Sequence, residues 1–556
     1  MNSFVQYLDQ FNVLSPSHAK IYDEYTQTTD EYRFAIDTKI ENFLVSLFEE
    51  KPRSVIMTGN AGDGKTRLCR TVYERLTGKS LLEWPITGIV EIPFSRGILR
   101  IVKDLSELTD AVINEELQCL QDLIQANHSS KFYYLIAANE GKLTKFLSQN
   151  ASLNHLSELV KERFLDHHQN DLHLHLANLQ DITSSIYAGR IIKEWNREEN
   201  WDACESCSHM NNCIIRLNHR RMSQESIQEK LIEQYRLLDC LGIHVTMREI
   251  LIHISYVITG GLTCEQVLYA KYKDVEEQAN RAYYDNFYGV YMKENDSGHL
   301  GAIRYLRQLD PGQLSISSID DYLLNGDISG NSYIVEKHQI LFDEEIDMLF
   351  GYYRKQIEMY RTQNPDKDNV VIFDQMPKFR RKYFFESNEH DGTREKLVPY
   401  LHFYRFVDSL TNKQSLATVR KELIQGLNHS FSKKLINRGE TQLYIVNENL
   451  LIHESYSASQ VRLSIDEERS DIDYLPSKLY ITVNHDTKLE VKLPVFEYLL
   501  RLAGGGLFIT LRQEVDILIS TFKNDLINRS ELDEYILQVF AIDPNKGVYV
   551  PYQIDI

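Results

Sequence analysis

Along the first half of the chain, apolar and polar positions follow two alternating periods. Short runs rich in β-branched and aromatic residues occur at Ser54–Thr58, Gly88–Pro93, Ile98–Asp104, Phe132–Ala138 and Leu172–Leu179, and each reads as a strand. Between them the spacing lengthens to that of amphipathic helices. Residues 30–51 place Phe34, Ile36, Ile40, Phe43, Leu44, Leu47 and Phe48 at helical intervals, and Arg67–Leu76, Leu105–Ala126 and Leu153–His167 follow the same pattern. Ile227–Tyr256 is a further helical stretch, within which Thr246 and Glu249 have the spacing of a capping box. Strands alternating with helices predict an α/β fold with a parallel sheet. From Glu276 onward the chain is tyrosine-rich and mainly helical, with an alternating hairpin over 479–493, so this half reads as a helical α+β region. No internal repeat or low-complexity tract interrupts it.

The junction between the first strand and its helix carries the most specific chemistry. Gly59-Asn60-Ala61-Gly62-Asp63-Gly64-Lys65-Thr66 fits G-x-x-x-x-G-K-[ST] without a mismatch. The glycines allow successive backbone N–H groups to turn toward phosphates, and the helix that begins there adds its dipole. Lys65 is placed to reach the β- and γ-phosphates, Thr66 to hold Mg²⁺, and Arg67 to follow in the first turn. The expected cofactors are ATP and Mg²⁺.

The order of elements around this loop is that of P-loop ATPases of the AAA+ type, a parallel sheet with a helical lid. Asp104, at the end of the third run, takes the Walker-B position beside Thr66. Arg100 and Lys103 interrupt that run, and Asp104-Leu105-Ser106-Glu107 also has the spacing of a plain helix cap. Asn139 falls where AAA+ proteins carry sensor 1. Glu107 and Glu140 are both open as the residue that orients water. Arg163, near the end of the helix before the fifth strand, has the position of an arginine finger, and Arg248, in the first turn of the capped helix, that of sensor 2. His173 and His175 alternate on one strand without a third ligand nearby and read as structural.

Composition narrows the class. The chain has 556 residues, enough for about three or four domains. A formal net charge of −19 disfavours an unaided, non-specific nucleic-acid binder. With no apolar run long enough for a membrane span and no basic-then-apolar start, the expectation is a cytoplasmic protein with no membrane partner. Of seven cysteines, Cys204, Cys207 and Cys213 are clustered in a C-x2-C-x5-C pattern, which suits a structural zinc ion. The fourth ligand is left open among His209, His219, Cys240 and Cys264. The expected boundaries are an N-terminal helical segment 1–49, an ATPase core 50–195, a cysteine knuckle 196–225, a lid 226–275 and a C-terminal region 276–556 for partner or DNA binding.

The glycine loop, the Ala137-Ala138-Asn139-Glu140-Gly141 strand end, the three-cysteine knuckle closed by Asn218, and Thr246-Met247-Arg248-Glu249 followed by Ser255-Tyr256-Val257-Ile258-Thr259-Gly260-Gly261 occur together. That combination resembles the DptF (DndF) family, the ATPase component of DNA phosphorothioation-dependent restriction systems. The resemblance is most specific over residues 50–265. It implies a bacterial anti-phage defence subunit that works with DptG and DptH on double-stranded DNA lacking the phosphorothioate mark. A homo-oligomer is a further possible assembly.

Two features of the second half bear on this. Lys378-Phe379-Arg380-Arg381-Lys382-Tyr383-Phe384-Phe385 is a dense basic–aromatic cluster, which reads either as a DNA-backbone contact or, more commonly, as an amphipathic segment with solvated cations. Asp486, Glu490 and Lys492 have the order of a metal-dependent nuclease but sit within the hairpin, so nuclease activity is not expected in this chain. Two other functions remain open: a nucleotide-gated signalling or scaffold protein with little turnover, and a stand-alone DNA-remodelling or replication ATPase.

Overall fold

The computed structural model describes residues 1–13, 36–127, 129–167, 173–292, 301–343, 350–362, 370–387, 393–437, 441–447, 449–484, 486–506, 513–530 and 536–555. Residues 30–35 of the expected N-terminal helix and Leu172 of the expected fifth strand lie outside them. The chain divides into two compact units. The first comprises Met1–Arg236, His244–Leu397 and Arg469–Tyr474; the second comprises Leu237–Ile243, Val398–Glu468 and Leu475–Ile556. The expected boundary at 276 therefore falls inside the first unit. The change of texture there marks a change from sheet to helices within one body.

In the first unit, α1 (Ser3–Asp9) and α2 (Lys39–Glu50) precede β1 (Ser54–Thr58), whose five residues are all buried. There follow α3 (Lys65–Thr77), β2 (Ile89–Phe94), β3 (Gly97–Val102), α4 (Asp110–Gln125), β4 (Phe132–Ala138), α5 (Glu140–Gln149), α6 (Asn154–Leu165) and β5 (Leu174–Asn178). The sheet order is β2-β3-β4-β1-β5. β1 pairs in parallel with both β4 and β5, and β3 pairs in parallel with β4. The edge strand β2 is antiparallel to β3, a departure from the all-parallel expectation. Only Ser95 and Arg96 separate these strands, too few for the crossover that a parallel pair needs. One face of the sheet is closed by α4, α5 and α6, where Ile113, Leu117, Leu120, Leu143, Leu147, Leu156 and Val160 pack on Ile56, Val102, Ile136 and Leu176. α3 packs against β2 and β4 and against α2.

Five further helices follow: α7 (Ser184–Trp195), the short α8 (Asp202–Glu205), α9 (Ile214–Met222), α10 (Glu225–Cys240) and α11 (Met247–Thr259). The expected helix 227–256 is broken between α10 and α11, where Gly242 adopts a left-handed φ of 75°. The capping box at Thr246 and Glu249 is present. α11 packs on α1, α7 and α9, and α12 (Cys264–Leu268) follows after a turn. Residues 247–268 are long and apolar enough to cross a membrane, but 61% of their 18-residue apolar window is buried inside the protein, and the helix is broken at Gly260.

Among the described residues from 269 to 397 the regular elements are all helices. The helix Val370–Glu386 carries the basic–aromatic cluster; the aromatics are core, as the amphipathic reading expects, but the cations are not solvated. Lys378, Arg381 and Lys382 are buried together with Phe379, Tyr383, Phe384 and Phe385. Arg381 is paired with Asp310 at 2.7 Å and Asp285 at 2.9 Å, and Lys382 with Glu386 at 2.7 Å. These cations are paired in the interior, Arg381 with acidic residues far upstream and Lys382 with Glu386 one turn further on.

In the second unit, strands Val461–Ile465, Leu479–Val483 and Thr487–Val491 form an antiparallel sheet. The last two are the expected hairpin. Helices Lys413–Ser432 and Leu493–Ala503 pack together beside them.

Candidate functional site

β1 delivers the chain into the glycine loop, and α3 begins directly after it at Lys65. Gly62 and Gly64 have φ of 100° and 85°, in the left-handed region that side chains disfavour. Gly62 is also hemmed in: a Cβ there would lie 3.1 Å from Arg248 Cβ and 3.2 Å from Thr246 Oγ1. Gly64 is the N-cap of α3 and has no side chain with which to cap it. A 13-residue helix thus starts with its first-turn N–H groups and positive dipole end uncapped by side chains, an arrangement suited to an anion.

Within this loop Lys65 is buried, and its Nζ donates to the carbonyls of Gly59 at 2.8 Å and Asn60 at 2.7 Å. Burial lowers its pKa, opposed by the nearby negative charges of Asp63 and then Asp104; Arg248 adds to the lowering. Lys65 is therefore electrostatically linked to the end of β3 and to the start of α11. Asp63 folds back on the loop, accepting from Asn60 N–H at 2.6 Å through Oδ2 and from His244 Nε2 at 2.8 Å through Oδ1. Arg248 N–H donates to Gly62 O at 3.1 Å. The approach to α11 is fixed in turn by Ser184, whose hydroxyl accepts from Val245 N–H at 3.0 Å and donates to Val245 O at 3.2 Å. Asn60, Ala61 and Arg67 are exposed, and Thr66 is half-buried beside Lys65.

The strand ends line up beside this loop. Thr58 is in register with Ala138 of β4 and Asn178 of β5, so Asn139 follows directly alongside the loop. Its Oδ1 caps α5 by accepting from Lys142 N–H at 3.2 Å. Asp104, two residues past β3, accepts from Ser106 N–H at 2.7 Å and caps a 3₁₀ turn, Leu105–Glu107. The capping geometry is thus realised, in a carboxylate that also lies within the field of Lys65. Lys142 Nζ donates to Ser106 O at 2.9 Å, tying the ends of β3 and β4 together.

The two candidate glutamates have different surroundings. Glu107 is exposed and paired with Lys103 at 2.9 Å. Glu140 accepts from Gln180 Nε2 at 3.2 Å, and burial followed by the charge of Asp181 raises its pKa. Arg163 is 4% exposed, with Glu162 3.4 Å away on the same helix. A guanidinium acting on a neighbouring molecule would have to be presented at the surface. His175 is buried, 3.1 Å from Asp471, with its pKa lowered by burial; Arg469 bridges Asp471 at 2.8 Å and Asp181 at 2.7 Å. His173 is half-buried just before β5, outside the strand that carries His175.

The sequence reading missed His244, Ser184, Gln180 and the segment Arg469–Tyr474. His244 had a local signal, lying two positions before a capped helix. The last segment had none, since Asp471 is 296 positions from its partner His175.

Cys204 lies in α8, Cys207 in the turn after it, and Cys213 is the N-cap of α9. Among the described residues, no three His, Cys, Asp or Glu side chains stand together as a ready-made metal group. At the hairpin, Glu490 lies 3.0 Å from Lys492 and 3.3 Å from Lys478, which lower its pKa against its burial. Asp486 is exposed and faces Arg529 at 3.9 Å. Glu490 is thus engaged by two lysines and Asp486 is turned to an arginine.

No protein-family model, no curated protein and no solved structure matches this chain. What the fold defines is a mixed α/β protein whose five-stranded, mostly parallel sheet carries a glycine loop at the C-terminal end of β1.

Proposed function

We propose that this chain is the ATP-binding and hydrolysing subunit of a bacterial DNA restriction complex, a P-loop ATPase of the AAA+ type related to the DptF family. The observation that carries the nucleotide reading is the glycine loop between β1 and α3, with Gly62 and Gly64 at positive φ, Lys65 buried at its end and Arg248 N–H donating to Gly62 O at 3.1 Å. Bound phosphates would draw Lys65 Nζ away from the Gly59 and Asn60 carbonyls. Mg²⁺ would fall between Thr66 and Asp104, and Arg248 would approach from the lid. Asn139 and Glu140, at the end of the strand beside β1, have the position from which an attacking water is oriented. The partner subunits and the choice of unmarked DNA rest on the sequence resemblance alone.

A switch with little turnover is the second reading. It is favoured by Asp104 being engaged in a cap and Glu107 in an ion pair with Lys103. Steady-state ATP hydrolysis, measured with and without partner subunits and DNA, separates the two. Nucleotide binding without turnover under every condition would favour the switch, and absence of nucleotide binding would overturn both.

A further inference from the structure

Asp63 places a negative charge inside the very loop that would take a polyphosphate. Its side chain is 2% exposed, and it lies across the loop: a Cβ at Gly59 would come within 2.8 Å of Asp63 Oδ2. A buried carboxylate and an incoming phosphate repel each other, most strongly where water is largely excluded. Lys65 does not remove the difficulty. Its Nζ donates to the Gly59 and Asn60 carbonyls, and bound phosphates would claim it for themselves.

Two donors hold the Asp63 carboxylate. Asn60 N–H reaches Oδ2 at 2.6 Å, and His244 Nε2 lies 2.8 Å from Oδ1. A carboxylate only accepts, so His244 carries a proton on Nε2. The first donor belongs to the loop, among the amides that phosphates would compete for. The second comes from outside, and backbone contacts around it fix its place. Arg248 N–H donates to Gly62 O at 3.1 Å, and Ser184 exchanges two hydrogen bonds with Val245. His244 is thus kept within reach of Asp63 by contacts that its own side chain does not make, and a donor held in this way loses little freedom when it bonds.

We propose that His244 is a positioning residue for the triphosphate: its Nε2–H holds the Asp63 carboxylate in place and offsets its charge, so that a loop carrying an anion can accept another. This role presupposes the nucleotide reading of the glycine loop and adds to it a side chain outside the G-x-x-x-x-G-K-[ST] run.

The test is equilibrium titration of the full chain with Mg²⁺ and a fluorescent ATP analogue, repeated with the matching ADP analogue. His244→Ala should weaken ATP binding on the order of 10–100-fold, the worth of one hydrogen bond to a charged group, and ADP binding by less. His244→Gln, which keeps an N–H donor at similar reach, should recover most of the loss. Adding Asp63→Asn to His244→Ala should return affinity to within about threefold of native, because losing His244 is costly only while Asp63 is charged. Should His244→Ala fail to fold, Asp63→Asn alone decides. Its amide keeps an acceptor for Asn60 N–H and sheds the charge, so it should bind ATP more tightly than the native chain; weaker binding would overturn the assignment. So would unchanged affinity in His244→Ala, or a loss that persists in the double variant, which would mark His244 as structural. Absence of ATP binding by the native chain would instead overturn the nucleotide reading itself, and this role with it.

Discussion

Asp63 Oδ1 and His244 Nε2 lie 2.8 Å apart, joining the glycine loop directly to the segment that leads into α11. The same carboxylate holds Asn60 N–H through its other oxygen, so one side chain shapes the loop and anchors what lies over it. Asp63→Ala should therefore act on both. The loss of two charge-assisted hydrogen bonds is worth roughly 1–3 kcal/mol each at most. Hydrogen exchange should quicken together at residues 59–66 and 244–250 and remain unchanged in β4. Faster exchange at the loop alone would show that His244 is held by other contacts.

Lys65→Ala should abolish nucleotide-dependent function. Removing a preorganised group aimed at developing phosphate charge lowers turnover on the order of 10²–10³-fold, and on the proposed reading the same group also contributes to binding. Equilibrium binding of a fluorescent ATP analogue and steady-state hydrolysis check it. Full ATPase activity in the variant would sink the nucleotide reading.

Stability should fall on mild acidification. His219 and His253 are buried, and burial lowers both to a pKa of about 4, against about 6.5 in an unfolded chain. The unfolded state therefore binds more protons, and stability rises with pH. The contribution is fully present above about pH 6.5 and is lost as pH falls toward 4, at up to about 1.4 kcal/mol per pH unit for each histidine. His253 Nε2–H donates to Phe287 O at 2.9 Å, leaving Nδ1 to accept from the Tyr235 hydroxyl, so protonation removes an acceptor in the interior. Thermal midpoints at pH 7.5 and 5.5 should differ less in His253→Phe than in the native chain, although the variant is weaker at both. An unchanged difference would assign the acid sensitivity elsewhere.

The isolated protein, given Mg²⁺ or Mn²⁺ and ATP, should neither nick nor cut unmodified plasmid. Its best nuclease surrogate has Glu490 engaged by Lys478 and Lys492. Nicking by highly purified protein that disappears in Glu490→Ala would show that the hairpin is a catalytic site after all. Nicking that requires added partner subunits would fit an ATPase that licenses their cut.

Legibility in the sequence followed the range of the interactions involved. The strand Ser54–Thr58, the turn into Lys65 and the Thr246–Glu249 capping box are decided by neighbours within a few residues, and the structure reproduces them. The antiparallel edge was readable in principle from the short Ser95–Arg96 link. The buried cations of helix Val370–Glu386 were not, because what neutralises Arg381 is Asp310 and Asp285, 71 and 96 positions upstream. Residue 276 lies inside the first unit for a related reason: composition changes where the sheet ends, whereas compactness depends on what the following helices pack against. In the candidate site, residues fixed by spacing were named in advance; Ser184 emerged only from three-dimensional contacts, and His244 was passed over despite its place before the capped helix.

The segment Arg469–Tyr474 has a practical consequence for dissecting this protein. It belongs to the first unit although the chain on either side belongs to the second. A fragment ending at Leu397 would look like a natural excision, but it would strip His175 of Asp471 and Asp181 of Arg469. Arg190 would likewise lose Asp473, and so would the start of α2, where Lys39 N–H donates to Asp473 at 2.8 Å. The first unit is thus discontinuous in the gene: a deletion series run inward from the C-terminus should fail abruptly once it passes Tyr474, and a minimal version would have to be stitched back together with those six residues supplied in trans or grafted on by a linker.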